Sequence, residues 1–279
     1  MKEITYGTAV QISPNVRRMT VPNPGRMTGP GTNTYIVGDE KIAIIDPGPV
    51  EESHIKAILD VVGDRLKWIL VTHTHPDHSP GAKVLADATG AMLMGNVLAV
   101  DDGHQDNSFA PKENFTHDYV LDGGNFHIRA ICTPGHVDNH ICFLVEEDKL
   151  LVTGDHIMQG STVVIIPPHG DMKAYIESLR LLRDYSISHL APGHGTLIDN
   201  PSAEIEGLIQ HRLGRESKVV ETMKGLGSIS LDDLTPKVYD DVDKSLHTLA
   251  RYSLWAHVLK LKKDQRVSQK DDLWCLIET

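Results

Sequence analysis

The segment His73-Thr-His-Pro-Asp-His78 places three imidazoles and one carboxylate within six residues. It directly follows the apolar run 68–71, which predicts a buried strand. Residues two apart on an extended chain point to the same side, so His73 and His75 leave the strand side by side. Pro76 then turns the chain and brings the last two side chains of the segment to the same point. Imidazole nitrogen and carboxylate oxygen suit zinc, with manganese and iron as alternatives.

Three later turns each carry one further candidate ligand directly after a strand-like run. Ligands on loops at strand ends are held in place by the rigid sheet behind them. One such turn alone is a weak signal, but the ordered set is a strong one. The three turns are Thr133-Pro-Gly-His136, Thr153-Gly-Asp155-His156 and Ala191-Pro-Gly-His194.

This ordered set of His and Asp residues resembles the ligand motifs of the metallo-β-lactamase superfamily. The resemblance implies an α/β fold, an αββα sandwich with a dinuclear metal site at one edge between its sheets. It also implies two divalent metal ions, of which zinc is favoured and manganese and iron are alternatives. The implied ligands are His73, His75 and His136 for the first metal, Asp77, His78 and His194 for the second, and Asp155 as a bridge.

Two features place the chain within that superfamily. True β-lactamases carry Cys where Asp155 stands, so the aspartate resembles the other hydrolases of the family: glyoxalase II, lactonases and ribonucleases. The segment His211-Arg212-x-x-Arg215-Glu216 resembles the branch of beta-lactamase-like protein 2 (LACTB2). A dedicated β-lactamase is therefore disfavoured, and weak β-lactam hydrolysis is expected at most as a side activity.

The periodicity of apolar residues predicts the elements that position these motifs. The predicted strands are 9–12, 16–21, 34–37, 42–46, 68–71, 126–131, 150–152 and 187–190, and the predicted helices are 52–62, 80–89 and 171–184. Ser79 is expected at a helix start rather than as a nucleophile.

Strand signals stop after residue 200, which predicts a catalytic domain over 1–200 and a C-terminal domain over 201–279. The latter is expected to hold helices at 203–223, 231–234 and 244–263, and a hairpin pairing 266–267 with 274–277. Three helices and a small hairpin are typical of a winged helix. Such a unit either binds nucleic acid or packs beside the cleft, and the acidity of the chain favours packing.

Composition sets the compartment and the partners. The formal net charge of the 279 residues is -11, which gives no global attraction to nucleic acid. No apolar run has the length of a membrane span, and the start of the chain, with Lys2 and Glu3, lacks the apolar segment of a secretory signal. The three cysteines are expected to be reduced thiols. These features predict a cytoplasmic protein without a membrane partner, and they leave the oligomeric state open.

The chemistry expected of two metals about 3.5–4 Å apart is activation of a shared water, which supplies hydroxide near neutral pH. Asp77 is the candidate catalytic residue, as orienter of the water and acceptor of its proton. The leading hypothesis is a metal-dependent hydrolase that cleaves a small ester, thioester or lactone with a bridging hydroxide. An anionic acyl group of the substrate would be held by Arg212 or a loop residue.

Two alternative functions remain. One is an endoribonuclease that cleaves single-stranded RNA with the same site. The other is a redox protein of the flavodiiron type, which ranks last because it needs an attached flavin domain and normally replaces one site histidine.

Overall fold

The structure, a computed structural model, describes residues 5–98 and 103–277, so Lys2 and Glu3 lie outside the described residues. The chain divides into two compact units that interleave along the sequence. The first holds the described residues up to Thr133, together with Asn139–Thr162 and Tyr185–Pro201. The second holds Pro134–Asp138, Val163–Asp184 and the residues from Ser202 onward. The predicted division into 1–200 and 201–279 remains a prediction.

The first unit begins with a six-stranded sheet whose strands follow one another in chain order. Strands one to four pair antiparallel, whereas four pairs with five and five with six in parallel. Parallel neighbours need crossover connections, and the two helices that follow supply them. The strands are β1 (Val10–Ser13), β2 (Val16–Thr20), β3 (Asn33–Val37), β4 (Ile42–Ile45), β5 (Leu66–Leu70) and β6 (Met92–Met94).

Helices α1 (Glu52–Val62) and α2 (Pro80–Thr89) cover one face of this sheet, and both match the predicted bounds. Apolar side chains of both helices share a buried core with the sheet, including Ile58, Leu85 and Ile44. Proline suits the first turn of α2 because its missing N–H has no partner there in any helix. Both crossover helices therefore pack on the outer face of the first sheet, opposite the face that a second sheet covers.

A second, five-stranded sheet lies against the other face, with its strands side by side in chain order. Tyr35 and Leu70 of the first sheet share a buried core with Phe143 and Leu150 of the second. The predicted α/β sandwich with two stacked sheets is thus confirmed. The strands are β7 (Tyr119–Asp122), β8 (His127–Cys132), β9 (Ile141–Val145), β10 (Leu150–Gly154) and β11 (His189–Pro192).

The second unit is mainly helical, and it contains the helices predicted after residue 200. Its strands form a three-stranded sheet with the last strand in the middle, and the last two strands pair as the expected hairpin. Leu234, Leu254 and Trp274 belong to its own buried core. None of the helices within residues 5–98 and 103–277 is long and apolar enough to cross a bilayer. The elements are α3 (Met172–Leu181), α4 (Pro201–Met223), β12 (Ile229–Ser230), α5 (Leu231–Val238), α6 (His247–Lys263), β13 (Val267–Lys270) and β14 (Leu273–Leu276).

The contact between the two large sheets yields a test of the sandwich core. Phe143 is fully buried between the sheets. We expect Phe143→Ala to lower the free energy of unfolding by about 3–5 kcal/mol, because it removes a large buried ring and leaves a cavity. Urea unfolding followed by circular dichroism measures this. The control Val84→Ala changes a side chain of α2 that is 36% exposed, and it should shift stability by no more than about 0.5 kcal/mol.

Candidate metal centre

Asp46 ties together both ends of the histidine-rich segment. It follows β4 with a φ of 52° and is completely buried. Its Oδ1 accepts the backbone N–H of Thr72 at 2.7 Å, and its Oδ2 accepts the Thr72 hydroxyl at 2.7 Å. The same Oδ2 lies 2.9 Å from Nδ1 of His78. One carboxylate therefore fixes the end of β5 and the imidazole six residues further along the chain.

The tautomer of His73 follows from these hydrogen bonds. The Thr72 hydroxyl donates its hydrogen to Asp46 and therefore acts as an acceptor toward Nδ1 of His73, 3.0 Å away. Nδ1 carries the hydrogen, and Nε2 keeps the lone pair that a metal requires. The ring is completely buried, and its centroid lies 4.6 Å from that of His75 and 4.2 Å from that of His78.

His78 and His194 present their Nε2 atoms in the same way. Nδ1 of His78 donates to Asp46, and Nδ1 of His194 donates to the carbonyl of Gly31 at 3.3 Å. Outer partners of this kind orient an imidazole and fix the nitrogen that is offered to a metal. His194 follows β11 and is only 4% exposed.

Two carboxylates complete this group of donor atoms. Oδ2 of Asp77 lies 3.5 Å from Nε2 of His78 and 3.3 Å from Nε2 of His194. Oδ1 of Asp155, which follows β10, lies 3.4 Å from each of the same two nitrogens. Ligands about 2.0–2.1 Å from a tetrahedral zinc ion are separated by about 3.3 Å, so these four spacings fit one divalent ion.

Overlapping groups of donor atoms could hold metal in the first unit. His73, His78 and Asp155 offer one atom each within 4.8 Å of one another, and so do Asp77, His78 and His194. His75 is half-buried beside His73. The structure thus brings together six of the seven predicted ligand residues within one unit.

Electrostatics in this site favours positive charge. Burial on its own raises the pKa of the two carboxyls and lowers the pKa of the two imidazoles. The attraction between the four groups outweighs burial, so the pKa of Asp77 falls to about 2 and that of Asp155 lies well below its usual range. For the same reason the pKa of His194 rises to about 9 and that of His78 lies well above its usual value. A divalent ion would supply this positive charge in place of protons.

Gly193 keeps the space beside these donors open. A Cβ at this position would lie 2.8 Å from Oδ1 of Asp155 and 2.8 Å from Cε1 of His78. Its backbone N–H donates to the carbonyl of Gly154 at 2.8 Å, which joins the ends of β10 and β11. The turn before His194 therefore requires glycine for close approach.

The seventh predicted ligand, His136, lies on the segment Pro134–Asp138 of the second unit. Its Nδ1 donates to the carbonyl of Val164 at 2.8 Å, so Nε2 keeps the lone pair of the neutral ring. Arg212, expected as a clamp for an anionic substrate, is 3% exposed and donates to the carbonyl of Val163 at 2.6 Å. The prediction that Arg212 holds an anionic substrate is wrong, because its guanidinium is buried and donates to the protein backbone.

The sequence does not predict the role of Asp46 in this site. Asp46 looked only like part of an Asp-Pro-Gly turn, and its position at the end of a buried strand was the one available signal. Ser79 precedes α2 as predicted, but its hydroxyl donates to Oδ2 of Asp106 at 2.6 Å instead of capping the helix. His140 and His156 are completely or almost completely buried near His73, where the rings of His73 and His140 lie 5.2 Å apart.

Comparisons with known proteins agree with the ligand motifs. Residues 27–194 match the metallo-beta-lactamase superfamily, and residues 230–274 match the beta-lactamase associated winged helix domain. The chain is 30% identical to the lactamase-like protein adaB of Aspergillus niger, over 92% of the chain and 83% of that relative. It is 28% identical to the beta-lactamase-like protein 2 homolog of Caenorhabditis elegans, over 95% of the chain and 90% of the relative. It is 32% identical to an atrochrysone carboxyl ACP thioesterase of Aspergillus chevalieri, over 92% of the chain and 84% of the relative.

Solved structures share the fold at low sequence identity. A beta-lactamase domain protein from Burkholderia ambifaria superposes with a TM-score of 0.81 at 19% identity, covering 99% of this chain and 95% of its own. A metallo-beta-lactamase family protein from Thermus thermophilus gives a TM-score of 0.76 at 18% identity, covering 95% of this chain and 99% of its own. The predicted αββα metallo-β-lactamase fold with a C-terminal winged helix is thereby confirmed.

The role of Asp46 can be tested through metal affinity. Asp46→Asn keeps the size of the side chain, but its amide cannot accept from both Thr72 and His78 as the carboxylate does. We expect metal affinity to fall by about 10- to 100-fold, as for other outer partners of metal-binding histidines. The measurement is metal retained per chain during dialysis against rising chelator concentrations. The surface variant Asp87→Asn, whose side chain is 66% exposed, should retain metal like the wild type; equal retention by both variants would refute the role of Asp46.

Proposed function

The chain belongs to the metallo-beta-lactamase superfamily, and from this premise we propose a dinuclear zinc hydrolase that cleaves small acyl esters, with thioesters as the main class. The observation that carries the proposal is the group formed by Asp77, His78, Asp155 and His194. The four distances between its carboxylate oxygens and its imidazole nitrogens are 3.3–3.5 Å, as between ligands of one ion. The position of Asp155 holds a carboxylate, where a dedicated β-lactamase of the family carries Cys.

In this proposal Asp77, His78 and His194 would hold one ion, His73, His75 and His136 would hold the other, and Asp155 would serve as a ligand to both. When bound, two divalent ions act as Lewis acids and lower the pKa of water toward 7. Zinc is favoured over manganese and iron because imidazole nitrogen supplies most of the donors.

The residues on either side of the His136 loop support the assignment of His136 to the ion held by His73. Thr133 and Asn139, which flank the loop, belong to the first unit. There Thr133 bonds to His140, with 2.9 Å between Oγ1 and Nδ1, and the His140 ring lies 5.2 Å from that of His73. The chain advances at most about 3.6 Å per residue, so the Cα of His136 lies within about 11 Å of that of Thr133.

Asp77 is the proposed catalytic residue. Its side chain is 29% exposed, compared with 12% for Asp155, so Asp77 is the more accessible of the two carboxylates. The carboxylate is suited to accept a hydrogen bond from the attacking water, to orient it and to accept its proton.

The proposed substrate class follows from charge and from the relatives. The net charge of -11 opposes the approach of a polyanion such as RNA. One relative, at 32% identity, is named a thioesterase, which supports attack on an acyl carbon. A thioester also has a good leaving group, because a thiol ionises near pH 8.5.

Metal content is the first test of this proposal. We expect two divalent ions per chain, with zinc predominant, when the protein is purified without chelator. Elemental analysis measures both number and identity. Chelator should remove the hydrolytic activity, and added zinc should restore it. Less than one ion per chain after reconstitution would overturn the proposed centre.

The second test concerns Asp77 and the substrate. We expect Asp77→Asn to lower turnover of an acyl thioester by about 10²- to 10⁴-fold, because the orienting carboxylate is lost. Circular dichroism should show that the fold persists, and the exposed variant Asp60→Asn should keep wild-type turnover.

The substrate panel compares a thioester, an oxygen ester and a lactone of matched acyl groups with single-stranded RNA. We expect the thioester to be hydrolysed fastest. Cleavage of RNA by the wild type but not by Asp77→Asn, with all acyl compounds untouched, would replace the acyl hydrolase by an endoribonuclease.

A further inference from the structure

The segment His211-Arg212-x-x-Arg215-Glu216 on α4 divides its charged side chains between separate contacts within the second unit. Arg215 pairs with the carboxylate of Asp241 through two contacts of 2.8 and 3.0 Å. Glu216 pairs with Lys260 at 2.7 Å. Of the two arginines, Arg212 is the buried one. Arg212 contacts Val163 and Tyr175 instead of the carboxylates of these ion pairs.

Arg212 contacts two segments that are distant in sequence. Its Nη2 donates to the carbonyl of Val163 at 2.6 Å, and its guanidinium carbon lies 5.2 Å from the centroid of the Tyr175 ring on α3. A planar guanidinium can donate in its plane and stack on an aromatic face at the same time. Arg212 thus fixes the backbone of Val163 relative to α3.

The next carbonyl along this backbone holds His136. The oxygen of Val164 accepts the Nδ1–H of His136 at 2.8 Å. This bond selects the tautomer with its lone pair on Nε2, and it also sets the plane of the ring. The backbone that Arg212 holds is therefore the backbone that orients a proposed metal ligand.

The two residues before His136 are held against α3. A Cβ on Gly135 would lie 2.4 Å from the Cα of Tyr175, so the loop backbone runs directly against α3. The backbone N–H of Asp171 donates to the carbonyl of Gly135 at 2.8 Å, and the Ser178 hydroxyl donates to the carbonyl of Pro134 at 2.8 Å. The loop is anchored on one side by α3 and on the other by Val164.

These contacts form a closed ring that runs from Arg212 to Tyr175, to the loop of Gly135 and His136, to the backbone of Val164 and Val163, and back to Arg212. We propose that Arg212 is a positioning residue for His136, which presents Nε2 to the metal through this ring. The inference rests on the proposed function, because it assigns His136 to the first metal. It gives the buried arginine of the His-Arg-x-x-Arg-Glu segment a role in metal binding rather than in substrate binding.

The test compares Arg212→Met with the matched variant Arg215→Met. Each removes one guanidinium from α4, but Arg212 contacts Val163 and Tyr175, whereas Arg215 contacts Asp241 and the Tyr239 ring. Metal-free protein is titrated with zinc while a competing chelator reports both binding constants. We expect Arg212→Met to weaken one of the two ions by about 10-fold and to leave the other unchanged. Arg215→Met should bind both ions as the wild type does.

Arg212→Lys serves as the conservative variant. Lysine keeps a charged donor for Val163 but loses the planar stack on Tyr175, so it should restore part of the lost affinity. Wild-type affinity for both ions in a folded Arg212→Met protein would overturn the proposal. So would an equal loss in the Arg212→Met and Arg215→Met variants, since that would indicate only general weakening of the unit.

A second measurement does not depend on metal or on the folding of a variant. Nitrogen-15 NMR of the metal-free wild type reports which ring nitrogen of His136 carries hydrogen. We expect the Nδ1–H tautomer, and the Nε2–H tautomer would overturn the proposal. A wild type that binds no metal yet shows Nδ1–H at His136 would refute the proposed function. Binding of two ions with unchanged affinity in Arg212→Met would refute only the positioning role.

Discussion

The carboxylates of Asp77 and Asp155 lie in one site with two imidazoles, and most of each side chain is withdrawn from solvent, with 29% of Asp77 and 12% of Asp155 exposed. Withdrawing an ionised carboxylate from water is costly unless positive charge and hydrogen bonds compensate for the lost hydration. Here the compensation comes from nitrogens directed at the same oxygens, with spacings that suit ligands of a common ion. The two carboxylates require positive charge beside them. The surrounding backbone and side chains hold the nitrogens, or an ion bound by them, where that charge is needed.

Several elements must converge for this arrangement, and the two sheets provide them. The donors follow β5 of one sheet and β10 and β11 of the other. Backbone hydrogen bonds join the sheets near the site, from Ile141 to Thr72 at 2.8 Å and from Asn33 to Gly193 at 2.7 Å. The buried core between the sheets resists relative sliding, which would separate the donors. Asp46 adds a local brace, since it holds the segment at its two ends.

The candidate metal ligands could be identified in the sequence because they are closely spaced, ordered and placed after apolar runs, and their role as ligands remains a prediction. The bounds of α1 and α2 were equally clear, since both helices have an apolar stripe and are followed by a glycine. Strands β6 and β7 escaped detection because they are short and only partly buried. Asp46 could not be recognised because an aspartate before Pro-Gly usually serves a turn. The position of Arg212 depends on contacts with residues 49 and 37 positions away in sequence, so local patterns gave no indication of its burial.

We propose that the donors of Asp77, His78, Asp155 and His194 share one ion and that a second ion lies beside it. Crystals of the zinc-loaded protein, measured on both sides of the zinc absorption edge, test this directly. We predict two anomalous peaks, one of them about 2.0–2.2 Å from Nε2 of His78, Nε2 of His194 and Oδ2 of Asp77. The second peak should lie next to Nε2 of His73, with Asp155 in contact with both. Absence of a peak among these atoms, or zinc bound only elsewhere on the protein, would contradict the account.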